Sequence, residues 1–170
     1  MEFDKFKVLI KGLKAVYTSE RFLPDADSVK IWYSMLKDIP YDVLNVAIQK
    51  YIMTEKFPPT IADLRSLSSE TANGKILDWG KAWETVLDSI SKYGWYKQAE
   101  GKAVLDDLTR EAVNRIGYEK ICVSENIVAD RANFRQIYEE LANQRSRDNQ
   151  ISQNVLAIES ELQGNKALIG

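Results

Sequence analysis

Segment after segment of this chain spaces its apolar residues three and four apart, a period that only an α-helix turns into a single buried face. Phe3, Phe6, Leu9 or Ile10, Leu13, Val16 and Tyr17 keep that spacing, with Lys5, Lys7, Lys11 and Lys14 between them. After a break over residues 18–24, Asp25 or Asp27 can cap a second helix striped by Val29, Trp32, Leu36 and Ile39. Pro40 precedes a third helix over Val43, Leu44, Ala47, Ile48, Tyr51 and Ile52, running to about Thr54. Phe57-Pro58-Pro59 is expected to be extended, because a proline pushes the residue before it out of the α region. Thr60 with Asp63 then reads as the acidic version of a capping box for a fourth helix carrying Ile61, Leu64 and Leu67.

The polar stretch 66–75 marks a boundary between two halves. Beyond it, Trp79, Trp83, Val86, Leu87, Ile90 and Tyr93 hold one face until Gly94, well placed as a C-cap. Ala103 to Ile116 continues the helical pattern up to Gly117, a second such cap, and a short element lies near Ile121 and Val123. A further helix carries Ile127, Phe134, Ile137, Tyr138 and Leu141. Residues 144–153 are almost wholly polar, a solvated helix extension or a linker. Ile151, Val155, Ile158 and Leu162 then fall at spacings of 4, 3 and 4, a narrow seam on a segment ending near Gly164. No strictly alternating run with hairpin chemistry is present, so the expected fold is all-α. It comprises an N-terminal four-helix domain (1–73), a second helical region (74–143), and a polar linker with a C-terminal amphipathic helix (144–170).

Composition narrows the chemistry. The 170 residues contain no His and one Cys, which removes His-dependent triads, His metal sites, Cys-rich zinc sites and intramolecular disulfides. A net charge of -2 provides no global basic field, so direct nucleic-acid binding is expected to be weak at most. No apolar run approaches the roughly 20 residues of a membrane span, and the first five residues do not resemble a signal peptide, so a cytoplasmic location is expected. Gly-Lys occurs at Gly74, Gly80 and Gly101, but without the upstream glycine and following Ser or Thr of a P-loop; Tyr96 stands where Gly101-Lys102 would need that glycine. The pairs Asp106-Asp107 and Glu139-Glu140 point about 100° apart on a helix and do not converge on one ion. Asp107 reads as an N-cap or first-turn acid. No cofactor, metal or catalytic residue is expected.

Candidate contact residues are those left over by the helical faces. Trp32, Trp79 and Trp83 lie on apolar stripes and read as core, whereas Trp95 and Tyr96 follow the Gly94 break and sit off the stripe. Arg131 and Arg135 share a face with Tyr138 and frame Phe134; Glu111, Glu119 and Asp130 are interleaved, so ordinary surface pairing is the plainer reading of that basic patch. The seam of Ile151, Val155, Ile158 and Leu162 requires a cover, more readily from another molecule than from its own chain. These ten residues form the expected partner-binding set.

The order of several short motifs carries a resemblance. Val29-Lys30-Ile31-Trp32-Tyr33-Ser34-Met35-Leu36, Pro40-Tyr41-Asp42 and Phe57-Pro58-Pro59-Thr60-Ile61-Ala62-Asp63-Leu64 resemble the opening domain of the loader-and-inhibitor proteins that phages of Gram-positive bacteria direct at a replicative DNA helicase. Ala82-Trp83-Glu84-Thr85-Val86, Lys92-Tyr93-Gly94-Trp95-Tyr96, Ile116-Gly117-Tyr118 and Asn133-Phe134-Arg135-Gln136-Ile137-Tyr138 are similar to elements of longer phage replication proteins of the same kind. The resemblance implies a non-enzymatic protein of the bacterial host cell's cytoplasm. It implies capture of a hexameric helicase, of phage or host, leading to inhibition, loading or both, and transfer to an origin-bound replisome organiser. It also places helicase binding in the C-terminal part. A DNA-binding replication initiator or regulator, or an inhibitor of a host helicase-loader ATPase, are the alternatives.

Overall fold

The computed structural model describes residues 1–167, and all regular structure among them is helical, in ten helices. The last three residues of the expected 144–170 region lie outside the described residues. The chain forms two compact units: Met1–Lys75 together with the described part of Arg147–Gly170, and Ile76–Ser146. Among the described residues no helix is long and apolar enough to cross a membrane.

In the first unit, α1 (Phe3–Val16), α2 (Ala26–Leu36), α3 (Tyr41–Thr54) and α4 (Ile61–Asn73) surround a core in which Phe6, Leu13, Leu36, Leu44 and Leu64 are inaccessible to solvent. Local chemistry sets the helix ends. Asp25 caps α2 by accepting the Ser28 amide at 2.7 Å. At α4 the Thr60 hydroxyl accepts the Asp63 amide at 3.1 Å while the Asp63 carboxylate accepts the Thr60 amide at 2.8 Å, satisfying two backbone donors that a helix start leaves unpaired. Despite its polar sequence, α4 continues to Asn73: Leu64 and Ser68 are buried one turn apart, and the Lys50 ammonium of α3 donates to Thr71 at 3.1 Å. Leu23 adopts a left-handed φ of 51° and is nonetheless buried, its carbonyl accepting the Lys14 ammonium at 2.7 Å.

Arg65 knots this unit together. Its guanidinium grips the Asp38 carboxylate with two parallel bonds of 2.9 and 2.8 Å and also donates to the carbonyls of Met35 and Gln150. The hydrogen bond from Arg65 holds the Asp38 carboxyl below the usual carboxylate range, against the opposing effect of burial. A lowered folded-state value means that this group stabilises the fold above its unfolded pKa of about 3.9 and that the contribution disappears as pH falls through the folded value. Asp38→Asn should therefore lower stability at neutral pH and flatten the acid side of the stability curve. Thermal melts of both proteins from pH 7 downward, with equal slopes below pH 4, would contradict this.

The second unit contains α5 (Trp79–Tyr93), α6 (Gln98–Ala103), α7 (Asp107–Ile116), α8 (Tyr118–Cys122) and most of α9 (Ile127–Gln150). Asp78 caps α5 through the Gly80 amide at 2.8 Å. Gly94 and Gly117, at φ values of 60° and 104°, end α5 and α7 in a conformation that costs glycine least. Asp106 caps α7, accepting the amides of Leu108 and Thr109 at 3.1 Å each, while Asp107 occupies the first turn and pairs with Arg110. The stretch 144–150 is helical, the end of the 24-residue α9, and after a break at Ile151 and Ser152 a last helix, α10 (Gln153–Ala167), follows.

Candidate functional site

The Gly94 turn presents two aromatic rings to solvent. The Gly94 amide closes α5 on the Ile90 carbonyl at 2.8 Å, and the positive φ redirects the chain so that Trp95 and Tyr96 leave the buried stripe. They are 44% and 80% exposed and stack on each other, with ring centroids 3.8 Å apart and planes inclined by 28°. Rings held against one another lose less freedom when a partner covers them, and Trp and Tyr are the residues on which interface energy concentrates.

Arg131 and Arg135, one turn apart on α9, lie over Trp79 with guanidinium carbons 5.2 and 4.9 Å from its ring centroid. Each contact of this kind stabilises by about 0.5–1 kcal/mol at an exposed site. Arg135 also donates to Glu139 at 2.9 Å. The two aromatics between them turn the other way. Phe134 is fully buried, 5.1 Å from Trp83 and 5.5 Å from Tyr138 between ring centroids. Tyr138 is 1% exposed and donates its hydroxyl to the Leu77 carbonyl at 3.1 Å. Burial, with smaller effects from neighbouring acids, pushes the Tyr138 phenol up to about 12, so it stays a neutral donor. Of the four residues framed on α9, Arg131 and Arg135 reach the surface; Phe134 and Tyr138 are held in the core by Trp83 and the Leu77 carbonyl and offer a partner no side chain.

The C-terminal seam is divided. Ile151 lies in the break between α9 and α10, its amide on the Arg147 carbonyl at 3.1 Å, and so stands outside the helical register. Val155, Ile158 and Leu162 share α10 and are 53%, 57% and 60% exposed. The ten residues thus comprise an aromatic stack, a pair of arginines on a tryptophan, an apolar helix stripe, one residue in a helix break, and two core residues.

Sequence reasoning passed over Phe57 and Met53, 79% and 81% exposed at the α3–α4 connection. The signal was present for Phe57: a residue directly before Pro-Pro cannot belong to a helical stripe. Cys122 is half-buried, and burial raises its thiol, which leaves it unreactive as a nucleophile. Among the described residues no group of three or more Cys, Asp or Glu is arranged to hold a metal ion.

Residues 1–65, which span α1 to α3 and the capped start of α4, match the family model described as the N-terminal domain of the phage gene 39 protein. No curated protein and no solved structure matches the chain. The matched segment contains the Trp32 helix and the Phe57–Leu64 turn on which the sequence resemblance rests. The chain therefore opens with the gene 39 protein N-terminal domain and, through it, belongs with the phage helicase loader and inhibitor family.

Proposed function

We propose that this protein is a non-enzymatic phage DNA-replication factor that binds a hexameric replicative DNA helicase and inhibits it, loads it at an origin, or does both in turn. The observation that carries this reading is the gene 39 protein N-terminal domain at residues 1–65. Two further features support it. The second unit is a folded helical body with a stacked aromatic pair at its surface, suited to a protein contact. The sequence lacks both His and P-loop spacing, which is consistent with binding in place of catalysis. In this reading the helicase contacts Trp95, Tyr96, Arg131 and Arg135, with the phage or host enzyme as target.

The test is reconstitution with purified phage and host helicases, measuring complex formation and the effect on ATP turnover and unwinding. Trp95→Ala is expected to weaken the complex by about 30-fold, the equivalent of about 2 kcal/mol for a truncated hot spot. Its melting temperature should stay unchanged, because the ring is already solvated. A variant that melts early and binds only in proportion to its folded fraction would place Trp95 in the core instead. Failure to bind either helicase, combined with strongly salt-dependent binding to duplex DNA, would replace the adaptor reading with a DNA-binding initiator.

A further inference from the structure

The first unit carries an open groove between α1 and α2 of about 320 Å³. Its floor is Phe3, Ile10, Ala26 and Val29, and its rim is four ammonium groups, Lys7, Lys11 and Lys14 from α1 and Lys30 from α2. The α1 lysines stand at i, i+4 and i+7, roughly 10 Å from first to last along the helix. In a chain of net charge -2 this is a local concentration of positive charge around an apolar trough.

The rim charges are only loosely engaged. Lys7 pairs with Asp4 at 2.6 Å and Lys30 with Asp27 at 2.9 Å, both within one helical turn and largely exposed, so each pair adds little stability. Lys14 is held by the Leu23 carbonyl, and Lys11 has no partner among the described residues. Phosphates would satisfy the lysines and leave the floor wet. An apolar helix would cover the floor and leave the lysines unmatched. An occupant that fits both is a helix with an apolar stripe bordered by acids.

The same chain contains one. With 100° between successive residues, Val155, Ile158 and Leu162 fall within about 60° of one another on α10. Glu159 borders that stripe on one side and Glu161 on the other, and the stripe is exposed. At 15 residues α10 is at the length where an isolated helix is marginal in water, so its stripe needs a cover. Groove and helix are both open in the same structure.

We propose that α10 of one copy docks, apolar stripe inward, into the α1–α2 groove of a second copy, with Glu159 and Glu161 meeting the lysine rim. Because every copy owns both halves of the contact, two copies exchange helices reciprocally and close a dimer. The contact is independent of any helicase, since both halves lie outside the second unit.

The test is the mass of the full chain by sedimentation over a wide concentration range at low and high salt. A reversible dimer that weakens with salt is expected. Lys11→Glu, which breaks no hydrogen bond of the fold, should raise the dissociation constant on the order of tenfold by placing like charges together, as should Glu159→Lys. The double variant carrying both reversals should recover most of the loss. Ile158→Asp should leave a folded monomer, with helix content confirmed by circular dichroism. The proposal is overturned by a chain that is monomeric throughout, by a dimer indifferent to both charge reversals, or by reversals that do not rescue one another. Lys11-dependent capture of anionic vesicles or duplex DNA by a monomer would also overturn it.

Discussion

Phe134→Ala should destabilise the Ile76–Ser146 unit by about 3–5 kcal/mol, the usual cost of emptying a fully buried phenylalanine site. The ring is enclosed by Trp83 on α5 and Tyr138 on α9, with Val113 of α7 in the same cluster, so its loss leaves a void that three helices must share. Native domains are stable by only about 5–15 kcal/mol, and a small unit sits low in that range. Urea unfolding and amide hydrogen exchange across α5, α7 and α9 are the measurements, and exchange there should accelerate by two to three orders of magnitude, as about 3–5 kcal/mol requires. Phe57→Ala is the matched control: with 79% of that residue already in water, its effect should stay within about 0.5 kcal/mol. Near-equal effects of the two substitutions would refute the assignment of Phe134 to the core.

Gly101→Ala should be nearly as damaging, for a reason of space. A Cβ built at Gly101 overlaps the Tyr118 hydroxyl and approaches the Ser89 hydroxyl. Those groups are linked: Ser89 donates to the Gly101 carbonyl at 2.7 Å, and its single proton being committed there, Tyr118 donates to Ser89 at 3.0 Å. Burial raises the Tyr118 phenol, which keeps that donor protonated. An alanine must therefore displace a buried ring and break a hydrogen-bonded chain, together costing about 3 kcal/mol. Tyr118→Phe removes the atom the new methyl meets, so Gly101→Ala should cost markedly less in that background. Strict additivity in the double-mutant cycle would show that the clash is relieved elsewhere.

What the sequence made legible was whatever a few neighbouring residues decide. The Thr60–Asp63 box, the Asp25 and Asp78 caps and the Gly94 and Gly117 stops involve groups within one turn of one another, and each is present as its residue types imply. The all-α architecture followed from the same local periodicity. Decisions taken across the fold were hidden. Asp106 and Asp107 are chemically alike, and Asp106 caps α7 because its carboxylate reaches two free amides. The pattern from Ala103 to Ile116 reads as continuous, yet that cap separates α6 from α7. On α9 the residues Arg131, Phe134, Arg135 and Tyr138 are close in helical angle. Which of them turned inward depended on Trp79 and Trp83, some fifty residues earlier in the sequence. The closeness of Gly101 to Tyr118 and the union of α1 lysines with the apolar faces of α1 and α2 are likewise tertiary facts that no local spacing encodes.

The four indoles occupy four different environments. Trp83 is sealed in the second core, Trp79 lies beneath two guanidinium groups, Trp32 is half-buried against Phe22 in the first unit, and Trp95 stands in water on a tyrosine. Their emission is accordingly a composite whose red edge belongs chiefly to Trp95 and whose blue edge belongs to Trp83. A molecule settling over the Gly94 turn would dry Trp95 and move the red edge toward shorter wavelength, while loss of the core would move the blue edge the opposite way. The protein thus carries an unlabelled optical signal that separates occupancy from unfolding by the direction of a spectral shift.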